Sequence, residues 1–399
     1  DNSIEYTYDA VDNLVAKTDR NGRETSFAYD ELDRVVSETW VGDGNVVEYA
    51  YDKVDNLLSV KDQFSELTYT YDNRARVLPT DKSGTPNAPS VVLSYTYDGV
   101  GNVLTTSDAI NGTAGGTNTY SYDALNRVTR LTQSGNGVSD KRVDFDYNAI
   151  GQFETIERYA DLAGTQLVTG TTYSYDDLNQ LTGIVHNNST TDIAFYDLAY
   201  DENNRIKSIV DIDGTTDYTY DDTNQLLSAD HTDPGNPDET YTYDDNGNRI
   251  SSNLHGENYE TGPGNRLLSD GTYSYTYDDE GNLIEQTEIA TGATRQFQWD
   301  YRNRLIGIVD KNASEVELQR VEFAYDALDR RIVKEVDITP QDSNDGTATY
   351  FIYDGSDVTL DFVDEDGEVG VAEPTLAQRY LHGPAVDQVL AQEDADNST

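Results

Sequence analysis

The dipeptide Tyr-Asp returns along this chain about every two dozen residues, and no other feature constrains the fold as tightly. The tyrosines that anchor the units, each before an acid, are Tyr8, Tyr29, Tyr51, Tyr71, Tyr97, Tyr122, Tyr175, Tyr200, Tyr220, Tyr243, Tyr277, Tyr325 and Tyr353. Three variants fill the gaps: Tyr147 is followed by Asn148, Trp299 precedes Asp300, and a worn copy at Thr261 leads into Gly-Pro-Gly-Asn-Arg-Leu-Leu. Fifteen steps separate Tyr8 from Tyr353, about 23 residues each, the range in which repeats are stacked supersecondary units. A catalytic dyad occurs once or twice in a chain. A pair met thirteen times at this spacing, with three variants, answers a local folding problem.

Upstream of each anchor the residues alternate, as in Tyr273-Ser274-Tyr275-Thr276-Tyr277, which reads as a strand with its tyrosines on one face. Six residues after the anchor an apolar residue opens a second strand in most units, among them Leu14, Val35, Leu57, Val77, Val128, Phe153 and Leu181. Between the two strands, the residue four after the anchor is Asn, Asp or Gly in every unit but one, Ala75 being the exception. Asp12, Asp55, Gly101, Asn126, Gly151, Asn179, Asn204, Asn224, Gly247, Gly281 and Asn303 are examples. These types tolerate positive φ, which a three-residue hairpin loop requires of its last residue. The acid after the anchor, as at Asp9, Asp30, Asp98 and Asp123, takes the first turn position, where its carboxylate accepts backbone N–H groups two residues on. The anchor then faces the apolar residue six later as a cross-strand pair, which contributes roughly 0.2–1 kcal/mol per unit. Some units carry another apolar residue nine after the anchor, such as Leu131, Ile156, Ile184, Ile209 and Ile308. Its odd offset puts it on the other face unless a bulge intervenes, and the spacing leaves that open.

Sixteen hairpins supply about 32 strands, too many for one open twisted sheet, which rarely passes about ten. Apolar residues make up only 36% of the chain, too few to bury both faces of so much sheet. An all-β, wound, hollow shell or spiral fits that balance better than compact sandwiches. The Gly- and Pro-rich stretches from Thr80, Asp108, Thr232 and Pro340 read as loops at the far ends of hairpins. Repeats occupy residues 1–356; residues 357–399 depart from them, with Val358, Leu360 and Phe362 leading through Asp366-Gly367 to Val369 and Val371 as one more hairpin.

Lys and Arg total 27 against 75 Asp and Glu, a formal charge of −48 that repels nucleic acid and anionic lipid. With no cysteine there is neither disulfide nor thiolate chemistry. No apolar run is long enough to insert in a membrane as a helix, and the start at Asp1-Asn2-Ser3 reads as a processed or excised piece of a longer chain.

Units such as Tyr120-Ser-Tyr-Asp-Ala-Leu-Asn-Arg and Phe323-Ala-Tyr-Asp-Ala-Leu-Asp-Arg resemble the YD repeats of Rhs proteins, insecticidal toxin-complex shells and teneurins. The resemblance covers nearly the whole chain, and the segment from Arg379 is similar to the stretch that leads into the Rhs-associated core domain. It implies a long β-ribbon wound into a hollow shell, secreted or on a cell surface, whose partners are the rest of the parent polypeptide and, in the toxin branch, an enclosed C-terminal effector. It transfers no catalytic residue to this chain.

No cofactor, metal or catalytic site is expected. His186, His231, His255 and His382 stand in no ligand spacing, and neither a nucleophile elbow nor a phosphate loop occurs. Asp364-Glu365-Asp366-Gly367 with Glu373 partly echoes a calcium loop, but Phe362 holds its first ligand position and a hairpin turn reads better. The leading reading is a structural scaffold. The rivals are a surface adhesin that holds glycans or a filament that associates with itself, and a repeat scaffold with a hidden hydrolase site.

Overall fold

Alternating tyrosines and β-branched residues bounded by Asn, Asp and Gly turns build strands, and little else forms. The computed structural model describes residues 3–82, 84–338, 340, 346–365, 373–385 and 388–395. Among them are 34 strands and one three-residue 3-10 turn, Pro263–Asn265. Pairing is a meander: Glu5–Tyr8 pairs antiparallel with Leu14–Thr18, that strand with Glu24–Tyr29, and so on along the chain. The ladder is interrupted once, so that 22 strands form one sheet and 12 the next. The interruption lies between Arg249–Ser252 and the two-residue strand Glu260–Thr261. There the repeat has lost its ring to Thr261 and its acid to Gly262, where a Cβ would lie 2.7 Å from Leu268.

The anchor register is regular. Tyr8 faces Leu14, Tyr29 Val35, Tyr51 Leu57, Tyr175 Leu181, Tyr200 Ile206 and Trp299 Leu305. A bulge follows immediately, because the ladder slips by one residue beside each of these anchors. That slip settles the residue nine after the anchor: Ile156 lies opposite Phe145, Ile184 opposite Tyr173, Ile209 opposite Leu198 and Ile308 opposite Phe297. The extra residue of the bulge returns these side chains to the anchor's face.

The chain divides into two units, one made of residues 1–119, 134–138 and 275–399, the other of 120–133 and 139–274. In the first, Val91 and Leu93 pack with Ala348, Tyr350, Ile352, Leu360 and Phe362, and Val47, Val60 and Leu67 pack with Ala327. In the second, Leu131, Val143, Phe145 and Ile156 are buried. Phe153 packs there with Phe145, Tyr147 and Tyr173 at centroid distances of 6.0, 5.1 and 6.2 Å. Each fully buried side chain of this size stabilises by roughly 1.5–3 kcal/mol, while most tyrosines are only half-buried on the sheet.

One expectation changes. Asp108–Asn118 is not a loop: strands Val103–Ile110 and Thr113–Tyr122 run through it and reverse at Asn111-Gly112, with φ of 50° and 76°. Two successive residues at positive φ make the tight turn that matches the twist of the flanking strands, and Asn-Gly is its usual sequence. After Tyr353, Asp357–Asp364 pairs antiparallel with Thr375–His382. The expected turn at Asp366-Gly367 and the strand through Val369 and Val371 lie outside the described residues, as does most of the calcium-like loop.

Candidate functional site: the junction between repeats

Each hairpin closes through its acid. In the unit anchored on Tyr71, one Asp72 oxygen accepts the Arg74 and Arg76 N–H groups at 2.8 and 3.0 Å, and the other accepts Arg76 Nε at 2.7 Å. Asp9, Asp30, Asp52, Asp98, Asp123, Asp201, Asp221 and Asp244 accept the same pair of backbone N–H groups, two and four residues on. Asn148 does so through its amide oxygen. Bonds to the charged form stabilise it. The Arg76 side chain, with its own N–H, pulls the Asp72 carboxyl down to about 2; Asp30 and Asp52 are lowered chiefly by the Arg34 and Asn56 side chains, and Asp9 and Asp123 chiefly by the Asn13 and Arg127 N–H groups.

The residue four after the anchor is left-handed in every unit except the last. Asp12, Asp55, Asn126, Asn179, Asn204, Asn224 and Asn303 have φ between 57° and 69°, and Gly101, Gly151, Gly247 and Gly281 between 83° and 107°. Ala75, the compositional exception, adopts φ 59° all the same. The last unit departs instead: Tyr353 pairs with Val358 and Asp354 with Asp357, so that a two-residue loop led by Gly355 at φ 62° replaces the three-residue one.

Successive hairpins are joined by two groups that the spacing argument passes over. The first is the anchor hydroxyl. Pairing of the second strand with the third begins only at Ala16 opposite Ser26, which leaves the Leu14 carbonyl outside that ladder. Tyr29 Oη donates to it at 2.8 Å. The same bond runs from Tyr71 to Leu57, Tyr97 to Val77, Tyr147 to Val128, Tyr175 to Phe153, Tyr200 to Leu181, Tyr220 to Ile206, Tyr243 to Leu226, Tyr325 to Leu305 and Tyr353 to Arg331, at 2.7–2.9 Å. Trp299 makes it with its indole N–H, to Leu283 at 2.8 Å. A half-buried carbonyl that gains a partner is worth about 0.5–1.5 kcal/mol. The sequence signal was present: the anchors are Tyr and Trp, which carry a donor, and never Phe, although the chain has nine.

The second group is the residue five after the anchor, which is Arg, Asn or Gln in every unit before Tyr353. Arg34 bridges from Asp30 to the Asp52 carbonyl and the Asp55 carboxylate, both at 2.8 Å, and lies over the Tyr51 ring at 4.8 Å. Arg76, Arg127, Arg205 and Arg304 lie over Tyr97, Tyr147, Tyr220 and Tyr325 at 4.4–4.8 Å. Asn13, Gln152, Gln180 and Asn282 reach the next turn through amide N–H groups. Only side chains that donate can do this, which explains the restriction.

In the first unit the early and late repeats also meet. Arg302 donates to Glu38 at 2.7 and 3.0 Å, Tyr301 Oη to the Val41 carbonyl at 2.8 Å, and the Tyr301 ring stacks on Trp40 at 5.5 Å. Arg379 and Asp108 form a buried bidentate pair, and Gly115 and Gly116 make room for it because a Cβ at either would strike these side chains. A cavity of about 430 Å³ is lined by Trp40, Phe64, Trp299, Tyr301, Arg304 and Phe323. The Trp40 ring there is buried, stacked on Tyr301 with the Arg304 guanidinium carbon 5.4 Å from its centroid, and so is not open for a sugar to stack on. The histidines are dispersed: His186 and His231 bond Thr171 and Thr216 at 2.9 Å, His255 bonds Thr272 at 3.2 Å, and His382 contacts the Val358 carbonyl at 2.6 Å. No three His, Asp or Glu among the described residues stand as a metal would need them, and no described helix is long and apolar enough to cross a membrane.

A family model described as Teneurin YD-shell matches residues 164–358, and one described as RHS Repeat matches residues 8–39. Comparison with curated proteins finds no match. Among solved structures the chain is similar to the crystal structure of TcdB2-TccC3-Cdc42, with 15% identity, 98% of this chain and 25% of that one covered, and a TM-score of 0.47. It is also similar to the Photorhabdus luminescens Tc holotoxin pore with a TccC3 mutation, with 15% identity, 98% and 25% covered, and a TM-score of 0.41. The chain spans about a quarter of the length of these relatives.

Proposed function

Since the chain belongs to the Rhs/YD-repeat family, we propose that it is a structural section of a β-shell in a larger secreted or surface-borne protein, where it shields a C-terminal effector of the same polypeptide. The observation that carries the reading is the junction itself. In most repeats from Tyr29 to Tyr325 one acid closes the hairpin while one anchor-ring donor and one donating side chain join it to its neighbours. A site for chemistry concentrates distinct groups at one place; here identical groups are distributed along the chain. The departure at Tyr353, followed by strands of another kind, suits a passage toward the associated core domain near residue 357. The work is mechanical enclosure rather than catalysis.

The test is cryo-microscopy of the intact parent polypeptide together with limited proteolysis. An enclosed lumen, with sequence C-terminal to the repeats resistant until the shell is opened by denaturant, supports the reading. Solid density, or a C-terminal region cleaved as readily before opening as after, sinks it. Turnover in a broad hydrolase screen would favour the enzyme reading instead.

A further inference from the structure

The turns carry a second periodic signal, three residues after the anchor. In the first three hairpins this residue is aliphatic, Val11, Leu32 and Val54, and its exposure is 67%, 61% and 72%. The hairpin does not need it, because the acid and the left-handed residue close the turn and the anchor makes the cross-strand pair. Single exposed aliphatics are ordinary. The same position repeated on adjoining turns is a patch, and patches of this kind mark contact surfaces. The three turns do adjoin: Asn13 donates to the Asp33 carboxylate at 3.0 Å, and Arg34 to the Asp52 carbonyl at 2.8 Å. Two strands per hairpin at ~4.8 Å set the tips about 10 Å apart. Directly after each aliphatic comes an exposed carboxylate, Asp12, Asp33 and Asp55. A line of apolar side chains thus runs beside a line of acids.

We propose that this ridge docks a basic amphipathic helix of a partner protein, with an apolar side chain at every seventh position and Lys or Arg alongside. Seven helical residues advance about 10.5 Å, in step with the tips. An extended strand repeats its same-face side chains every ~6.8 Å and falls out of step. A second copy of this chain is a poor occupant, since it carries −48 and would set acid against acid. The contrast within the molecule supports the charge argument. Leu125, Ile150 and Leu178 are exposed at equivalent turns, but Asn126, Gly151 and Asn179 follow them, so that row has no acidic line. The ridge ends at the fourth hairpin, where Arg74 takes the tip and donates to the Gly99 carbonyl at 2.9 Å. The inference goes beyond the scaffold reading, which stands whether or not the ridge is occupied.

The test uses the whole chain and a fluorescein-labelled helical peptide of three heptads, with Leu at every seventh position and Lys beside it, followed by fluorescence anisotropy. The expected result is saturable binding that weakens as salt is raised. V11S/L32S/V54S should weaken it by at least about tenfold, the fold-change of about 1.4 kcal/mol. D12N/D33N/D55N should weaken it several-fold and flatten the salt dependence. Asn keeps both an acceptor oxygen and the tolerance for positive φ, so this variant preserves the turns, and circular dichroism verifies that both variants fold. The proposal is overturned if the peptide does not bind, if a scrambled or Glu-substituted peptide binds equally well, or if the serine variant binds as the parent does. It is equally overturned if sedimentation shows the ridge already covered by a second copy in a dimer that the serine variant dissociates.

Discussion

Tyr71-Asp72 and Tyr353-Asp354 are the same pair at the end of the same kind of strand, yet the two acids reach opposite electrostatic states. Asp72 is half-buried at its turn, where the Arg76 side chain and backbone N–H hold its carboxyl near 2. Asp354 is half-buried, accepts Tyr95 Oη at 2.7 Å, and has its carboxyl pushed up, chiefly by desolvation. The anchors themselves behave alike, since Tyr71 and Tyr353 both donate to the carbonyl of the preceding hairpin. What differs is the fifth residue, Arg76 in one and Val358 in the other. Without a donor to close on it, Asp354 leaves the turn, and Gly355 supplies the positive φ instead. The comparison teaches that the Tyr–Asp pair specifies a strand end, while the residue four beyond the acid decides whether that acid closes a turn.

The largest expected effect is collective and tests the electrostatic half of this contrast. The turn carboxyls of Asp9, Asp30, Asp52, Asp72, Asp98, Asp123, Asp201, Asp221 and Asp244 are all lowered. A group whose folded value lies below the unfolded one, about 3.9, contributes fully above that value and loses its contribution as pH falls through the folded one. The urea midpoint should therefore drop most steeply between about pH 4 and pH 2. Asp354 and Asp361 are raised and act with the opposite sign: their contribution is present below about 3.9 and is lost as pH rises through the folded value. Asp354→Asn should accordingly raise stability at pH 7 and leave the acid limb in place. A midpoint unchanged from pH 4 to pH 2 would break the comparison.

Next in size is Asp326→Ala. This turn acid is fully buried and accepts Arg330 Nε at 2.7 Å together with the Leu328 and Arg330 N–H groups. Removing it strands a guanidinium, and the expected loss is roughly 3–5 kcal/mol in urea unfolding. A loss below about 1 kcal/mol, the level of an exposed pair, refutes the assignment of the turn to this carboxylate.

Tyr147→Phe removes only the hydroxyl that serves the Val128 carbonyl, for an expected loss of about 0.5–1.5 kcal/mol. Tyr6→Phe, at a ring exposed on the first strand, should stay within about 0.5 kcal/mol of the parent and serves as its control. Equal losses at the two positions would show that the hydroxyl does not join the repeats. The smallest effect is a gain: Ala75→Gly relieves a left-handed alanine and should stabilise by about 0.5–1 kcal/mol, part of the relief being offset by chain entropy.

The hairpins are legible in the sequence because everything that makes one lies within seven residues: strand alternation, an acid that accepts N–H groups, a residue that tolerates positive φ, and an apolar partner. The donor five after the anchor was equally present, in the run of Arg, Asn and Gln from Asn13 to Arg330, but its role needs the neighbouring hairpin in view. The strand through Asp108–Asn118 was hidden because glycine there signals looseness by composition. Gly115 and Gly116 are small for another reason, the passage of Arg379 to Asp108.

The sequence by itself determined where the chain reverses and which side chains share a face, since those follow from local sterics and from spacing repeated along the chain. Tertiary structure alone decided that Glu38 meets Arg302, that Asp108 meets Arg379, and that Asp354 lies beside Tyr95 rather than in a turn. Each of these pairs spans more than 250 residues of sequence. Their energies depend on burial, which exists only once distant strands have packed.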